Sequence, residues 1–131
     1  APDTLAKIAS GGELSRISLA IEMVTAQQGS TPTLFFDEVD AGIGGATAAL
    51  VGQLLRDLGT RLQVFCVTHQ PQVAACAHHH CKVSKTVVEA QTFSAMTQLD
   101  KQARIDEIAR MLGGLTITDQ TRKSAVELLG Q

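Results

Sequence analysis

Two short, largely apolar runs, each stopping at residues that carry chemistry, restrict the fold of this chain more than any other feature. Thr33-Leu34-Phe35-Phe36 stops at Asp37-Glu38, and Gln63-Val64-Phe65-Cys66-Val67 stops at Thr68-His69. A continuous apolar run without alternation is the pattern of a strand buried on both faces of a parallel sheet. Between the two runs, Ala46 to Leu58 carries Leu50, Val51, Leu54, Leu55 and Leu58 at helical spacing, and Gly59 offers a stop. Strand, helix and strand in this order predict an α/β layer fold with a parallel sheet.

The rest of the chain fits around this unit. Ser10-Gly11-Gly12-Glu13 opens a helical period through Leu14, Ile17, Ala20, Ile21 and Val24 to about Gln28, broken by Gly29-Ser30-Thr31-Pro32. Pro71 to Ala77 reads as a short helix with Pro71 near its first position. Residues 82–88 and 91–98 alternate as a hairpin. Lys101–Leu112 predicts a helix closed by Gly113-Gly114, and Thr118–Leu129 a last helix capped by Thr118 or Asp119. At 131 residues, 44% of them hydrophobic, one domain with a core of useful size is expected. A net charge of −2 excludes nucleic-acid binding by bulk positive charge, and the absence of Trp and Tyr disfavours stacking on single strands. No apolar run approaches the roughly 20 residues that span a membrane, and no signal peptide is visible. Three cysteines form no disulfide framework and fit a reducing cytoplasm.

Five groups of residues could carry chemistry. The carboxyl end of a parallel strand is where α/β folds place ligands. Asp37 there suits Mg²⁺, and Glu38 suits the orientation or deprotonation of a water; a solvated, capped strand end is the plainer account. Ser10 and Glu13 form a capping box, while Gly11 and Gly12 leave the helix-start amides open to a phosphate. His69 can donate to a phosphate or exchange a proton, or serve structure alone. Cys76, His78, His79, His80 and Cys81 supply metal-ligand types at a spacing unlike that of zinc sites. Gly42-Ile43-Gly44-Gly45 is neither a dinucleotide fingerprint nor a Walker A, and no Walker A sequence occurs in the chain. Ser10, His69 and Asp37 make a triad on paper only, with no nucleophile elbow to support it. Lys82, Lys85, Lys101 and Arg104 form either a local basic face or ordinary solvated surface.

The order of these pieces resembles the C-terminal part of an ABC-type ATPase head. ASGGEL at 9–14 is similar to the signature motif, TLFFDE at 33–38 to Walker B, VDAG at 39–42 to the D-loop and VTH at 67–69 to the H-loop. More narrowly, SGGELSRISLAIE, FFDEVDAGIGG, VFCVTHQPQVAA and ARMLGG resemble the RecN family of bacterial SMC-like ATPases in DNA double-strand-break repair. The likeness covers nearly the whole chain.

The resemblance implies the C-terminal lobe of a P-loop NTPase head over 1–131: a mostly parallel sheet flanked by helices, a small hairpin and C-terminal helices. Residues 1–9 would lead out of a coiled coil. It implies ATP and Mg²⁺ as cofactors, Asp37 supporting the metal, Glu38 as general base and His69 at the γ-phosphate. Asp40 would belong to the D-loop at the head–head interface. Ser10, Gly11, Gly12 and Glu13 would act in trans on the ATP of a second head. The implied partners are the N-terminal lobe of the same head, a second head in a homodimer and DNA through the full-length protein, in the bacterial cytoplasm at the nucleoid. Ala9 departs from the usual signature Leu, and Walker A and the Q-loop are not in this sequence. The chain alone is therefore expected to be inactive, with exposed apolar surface where the other lobe would dock. A lobe for protein interaction or dimerisation, without catalysis, is the alternative.

Overall fold

A computed structural model describes residues 33–130. The helix expected over 10–28, with Ser10, Gly11, Gly12 and Glu13, lies outside the described residues. The chain divides after Cys76 into two compact units.

The first unit is a parallel strand–helix–strand motif followed by a short helix: β1 (Thr33–Asp37), α1 (Gly45–Gly59), β2 (Gln63–Val67) and α2 (Pro71–Ala74). β1 and β2 pair in parallel, with Phe35 opposite Phe65 and Asp37 opposite Val67. Period 2 in the strands and period 3.6 in the helix then build one core. Phe36 from β1 meets Ala48, Val51, Leu55 and Leu58 of α1 and Val73 of α2, with Leu34, Val64 and Cys66 alongside. Burial of a side chain such as Phe36 contributes roughly 1.5–3 kcal/mol. Gly52 lets α1 pack closely against the segment at the end of α2. A Cβ there would lie 2.8 Å from Cys76 Sγ and 3.1 Å from the Gln72 carbonyl.

Two expectations need correction. The first run is not buried on both faces. Phe36 is 2% exposed but Phe35 is 66% exposed, and Phe65 and Val67 share that open side. One helix covers one face of a two-stranded ribbon, and Phe35 and Phe65 stack on the other with centroids 6.0 Å apart. Apolar composition on both sides of the strand thus marks a face that α1 does not cover. The short helix after Pro71 ends at Ala74, not Ala77. Beyond it the Cys76 carbonyl accepts from the Arg56 guanidinium at 2.7 Å instead of extending the helical ladder.

The second unit is an antiparallel hairpin, β3 (Cys81–Val88) and β4 (Gln91–Gln98), followed by α3 (Lys101–Gly113) and α4 (Asp119–Leu129). Asp100 caps α3 by accepting from the Ala103 amide at 2.8 Å. Thr118, one of the two expected caps, starts α4 in a capping box with Thr121. Ile108 and Ala109 of α3 and Ala125 of α4 are fully buried. Glu107 is buried beside them and paired with both Arg110 and Lys82 Nζ, the latter at 3.0 Å. The Arg110 hydrogen bonds, then those of Lys82, hold its carboxyl below the usual carboxylate range against the opposing effect of burial. Lys82 is thereby drawn into an ion pair, and Arg104 donates to the Ala77 carbonyl at 2.6 Å. The basic face considered for Lys82, Lys85, Lys101 and Arg104 thus has two of its four cations bound inside the unit.

The hairpin turn contains backbone strain. Its two central residues, Glu89 and Ala90, have φ of 50° and 63°. Positive φ at both positions is what a type I′ turn requires and what Asn-Gly supplies without penalty. The paired replacement Glu89→Asn and Ala90→Gly is expected to raise stability by about 1 kcal/mol, read as a higher urea midpoint at unchanged slope.

Candidate functional site

The parallel register sets the carboxyl ends of β1 and β2 side by side, and this is where the predicted chemistry gathers. Past Asp37, the Glu38 amide donates to the Val67 carbonyl at 3.1 Å and carries the ladder one residue further. Glu38 then takes φ of 54°, a conformation that costs a side-chain-bearing residue about 1–3 kcal/mol. Its carbonyl accepts from the Ala41 amide at 3.1 Å, and a second turn follows as the Ile43 amide approaches the Asp40 carbonyl at 3.4 Å. Gly42, at φ 76°, supplies the freedom this second turn needs. The Gly42–Gly45 segment is thus a loop leading into α1, with Gly44 as N-cap. Asp37, Glu38 and His69 are all exposed at this edge.

Asp40 is different. It is 0% exposed. One carboxylate oxygen accepts from the Thr68 hydroxyl, and the other, Oδ1, is buried with no hydrogen-bond partner among the described residues. The Asp40 carboxylate is therefore engaged within the unit. Thr68 Oγ1 also accepts from the Gln70 amide at 3.0 Å. The Gln70 side-chain amide completes the connection, donating to the Asp40 carbonyl at 2.9 Å and to the Ile43 carbonyl at 3.0 Å. Two residues following β2 thus hold the loop that follows β1. Thr68 was visible in the sequence beside His69. Gln70 was not singled out, and its only signal is an amide side chain directly after a strand end that already carries two polar residues.

Asp37 fits a magnesium ion by its chemistry. Mg²⁺ takes one or two carboxylates and completes its shell with water and substrate phosphates, so an exposed carboxylate at a strand end can supply one of its ligands. Among the described residues no three His, Cys, Asp or Glu side chains stand together as a metal cage. In the 76–81 segment, Cys76 Sγ lies 3.3 Å from the Gln72 carbonyl, and His79 Nδ1 lies 3.4 Å from the Gln98 amide. His80 is half-buried, which with the charge of Arg104 pushes its pKa down against the pull of Glu107. The paper triad of Ser10, His69 and Asp37 cannot be assembled here because Ser10 lies outside the described residues.

Cys66 sits in β2 behind the acidic edge. Burial first, then the negative charges of Asp40 and Asp37, push its thiol from 9.0 up to about 11. Because the folded value lies above the unfolded one, the neutral thiol's contribution to stability is intact below pH 9 and is lost as pH rises through about 11. At pH 8, iodoacetamide is expected to modify the exposed Cys81 well before Cys66, by peptide mapping over time.

No family model matches the chain. DNA repair protein RecN of Vibrio cholerae is 58% identical over 125 residues, 95% of this chain and 23% of that protein. RecN of Haemophilus influenzae is 55% identical over 128 residues, and RecN of Bacillus subtilis 41% over 128, each match covering 98% of this chain. The chain spans 23% of the length of the first of these relatives. Among solved structures, one from work on ATP-driven dimerization and DNA stimulated activation of SMC ATPases superposes with a TM-score of 0.65. It is 18% identical, over 84% of this chain and 66% of that one. The SMC head domain from Thermotoga maritima gives 0.57 at 24% identity, over 76% of this chain and 36% of that one. These likenesses show the fold, an α/β arrangement of the kind found in SMC head domains.

Proposed function

We propose, for a chain that is RecN-like over almost all of its 131 residues, that it forms the C-terminal lobe of an ATP-hydrolysing head acting in DNA double-strand-break repair. The observation that carries this reading is the edge itself. Asp37 and Glu38 stand exposed at the end of β1 beside Thr68-His69 at the end of β2, and Glu38 takes a φ of 54°. Non-glycine residues kept in that region cluster at functional sites.

Mg²⁺ at Asp37, when bound, supplies neutralisation of the charge on the phosphate oxygens. Glu38 holds the attacking water and takes its proton, the task of a carboxylate placed beside the metal-binding one. His69 donates a hydrogen bond to the γ-phosphate region from the second strand end. Ser10, Gly11, Gly12 and Glu13 would act on the ATP of the facing head, and the D-loop around Asp40 would lie where two heads meet. The nucleotide would be enclosed by an N-terminal lobe carrying Walker A, with a second identical head completing the site. DNA is engaged by the full-length protein, at the nucleoid in the cytoplasm. By itself the chain would not turn over ATP, since no sequence in it can cradle the β-phosphate. No helix among the described residues is long and apolar enough to cross a membrane.

In the complete protein, Glu38→Gln is expected to lower kcat by about 10²-fold or more while ATP binding and ATP-dependent head association persist. Steady-state turnover and nucleotide titration measure this. Unchanged turnover would remove Glu38 from the mechanism.

A further inference from the structure

We propose that Gln70 is a positioning residue for Glu38, acting through the loop that follows it; this rests on the reading of Glu38 as the water-orienting carboxylate. Glu38 is fixed on its amide side by the bond to the Val67 carbonyl, a continuation of the strand ladder. On its carboxyl side it depends on the turn from Glu38 to Ala41 and the turn from Asp40 to Ile43, whose hydrogen bonds are 3.1 and 3.4 Å. The longer of these is weak by ordinary N–H···O geometry. The Gln70 amide reinforces it directly, since its nitrogen donates to both the Asp40 and Ile43 carbonyls, the two ends of that turn. Thr68 anchors the same turn through the Asp40 carboxylate and at the same time accepts from the Gln70 backbone amide. Gln70 is thus oriented by Thr68 and in turn sets the curvature of residues 38–43. Without its donors the turn opens, the φ of 54° at Glu38 is free to relax, and the carboxylate swings away from the water it aims. A displacement of about 1 Å in a catalytic group suffices for a loss of up to 10²-fold.

The test uses the complete protein. Gln70→Met has similar length and no donor. It is expected to lower kcat by roughly tenfold or more with the ATP dissociation constant within about twofold of wild type. In a Glu38→Gln background the same change is expected to cause no further loss in single-turnover rate, because the group it positions is already gone. Gln70→Lys, which keeps a donor for the two carbonyls, is expected to hold kcat within about threefold of wild type. Should Gln70→Met fail to fold, Gln70→Ala, which also removes both donors, takes its place with the same expected loss and the same contrary outcome. Wild-type kcat in Gln70→Met, multiplicative losses in the double variant, or a tenfold loss in folded Gln70→Lys would each overturn the positioning role. Unchanged turnover in Glu38→Gln alone would instead overturn the assignment of Glu38, and that arm is read separately.

Discussion

The parallel pairing of β1 with β2 is the constraint from which the rest of this site follows. Parallel strands point their carboxyl ends the same way, and here the register places Asp37 level with Val67. Residues far apart in sequence, 37–38 and 68–69, therefore emerge at one edge without any need for a loop to reach across. The helix between them makes the pairing possible, since a parallel connection needs a crossover. Its buried stripe of Ala48, Val51, Leu55 and Leu58 closes the core against Phe36. Core and site are thus two consequences of one packing arrangement.

Buried polarity gives the edge its specificity. A fully buried aspartate with one oxygen unpartnered among the described residues is costly where a hydrophobic residue would serve packing better. Asp40 is retained with its carboxylate bound to Thr68, and Gln70 adds two further bonds to the same turn. The combination ties the loop after one strand to the loop after the other. On the proposed function, such a connection would help hold the loop that carries Glu38 in register with the strand end that carries His69.

Much of this was legible in the sequence. The apolar runs marked both strands, the 3.6 period marked α1, the glycine stop and the Thr118 cap marked α3 and α4, and the carboxylates at the end of β1 stood out because polar residues stop an otherwise apolar run. Other features were not legible, for physical reasons. A continuous apolar run does not say which layer covers each face, so the open side bearing Phe35 and Phe65 could not be told from the core side bearing Phe36. A cation in sequence looks solvated until its partner is known, as with Lys82 on Glu107 and Arg104 on the Ala77 carbonyl. Gln70 carries no motif; its role exists only because the parallel register places it beside residues some thirty positions earlier.

On the proposed function, this lobe supplies the acidic and histidine side of a composite ATP site whose phosphate cradle is carried by the other lobe. The decisive measurement is ATP binding and turnover by residues 1–131 alone and after adding the Walker A segment of the same protein. No turnover by the chain alone, and turnover on mixing that is lost with Glu38→Gln, is the expected result. Turnover by the chain alone, abolished by Glu38→Gln, would contradict it, because a complete phosphate site would then reside within these residues.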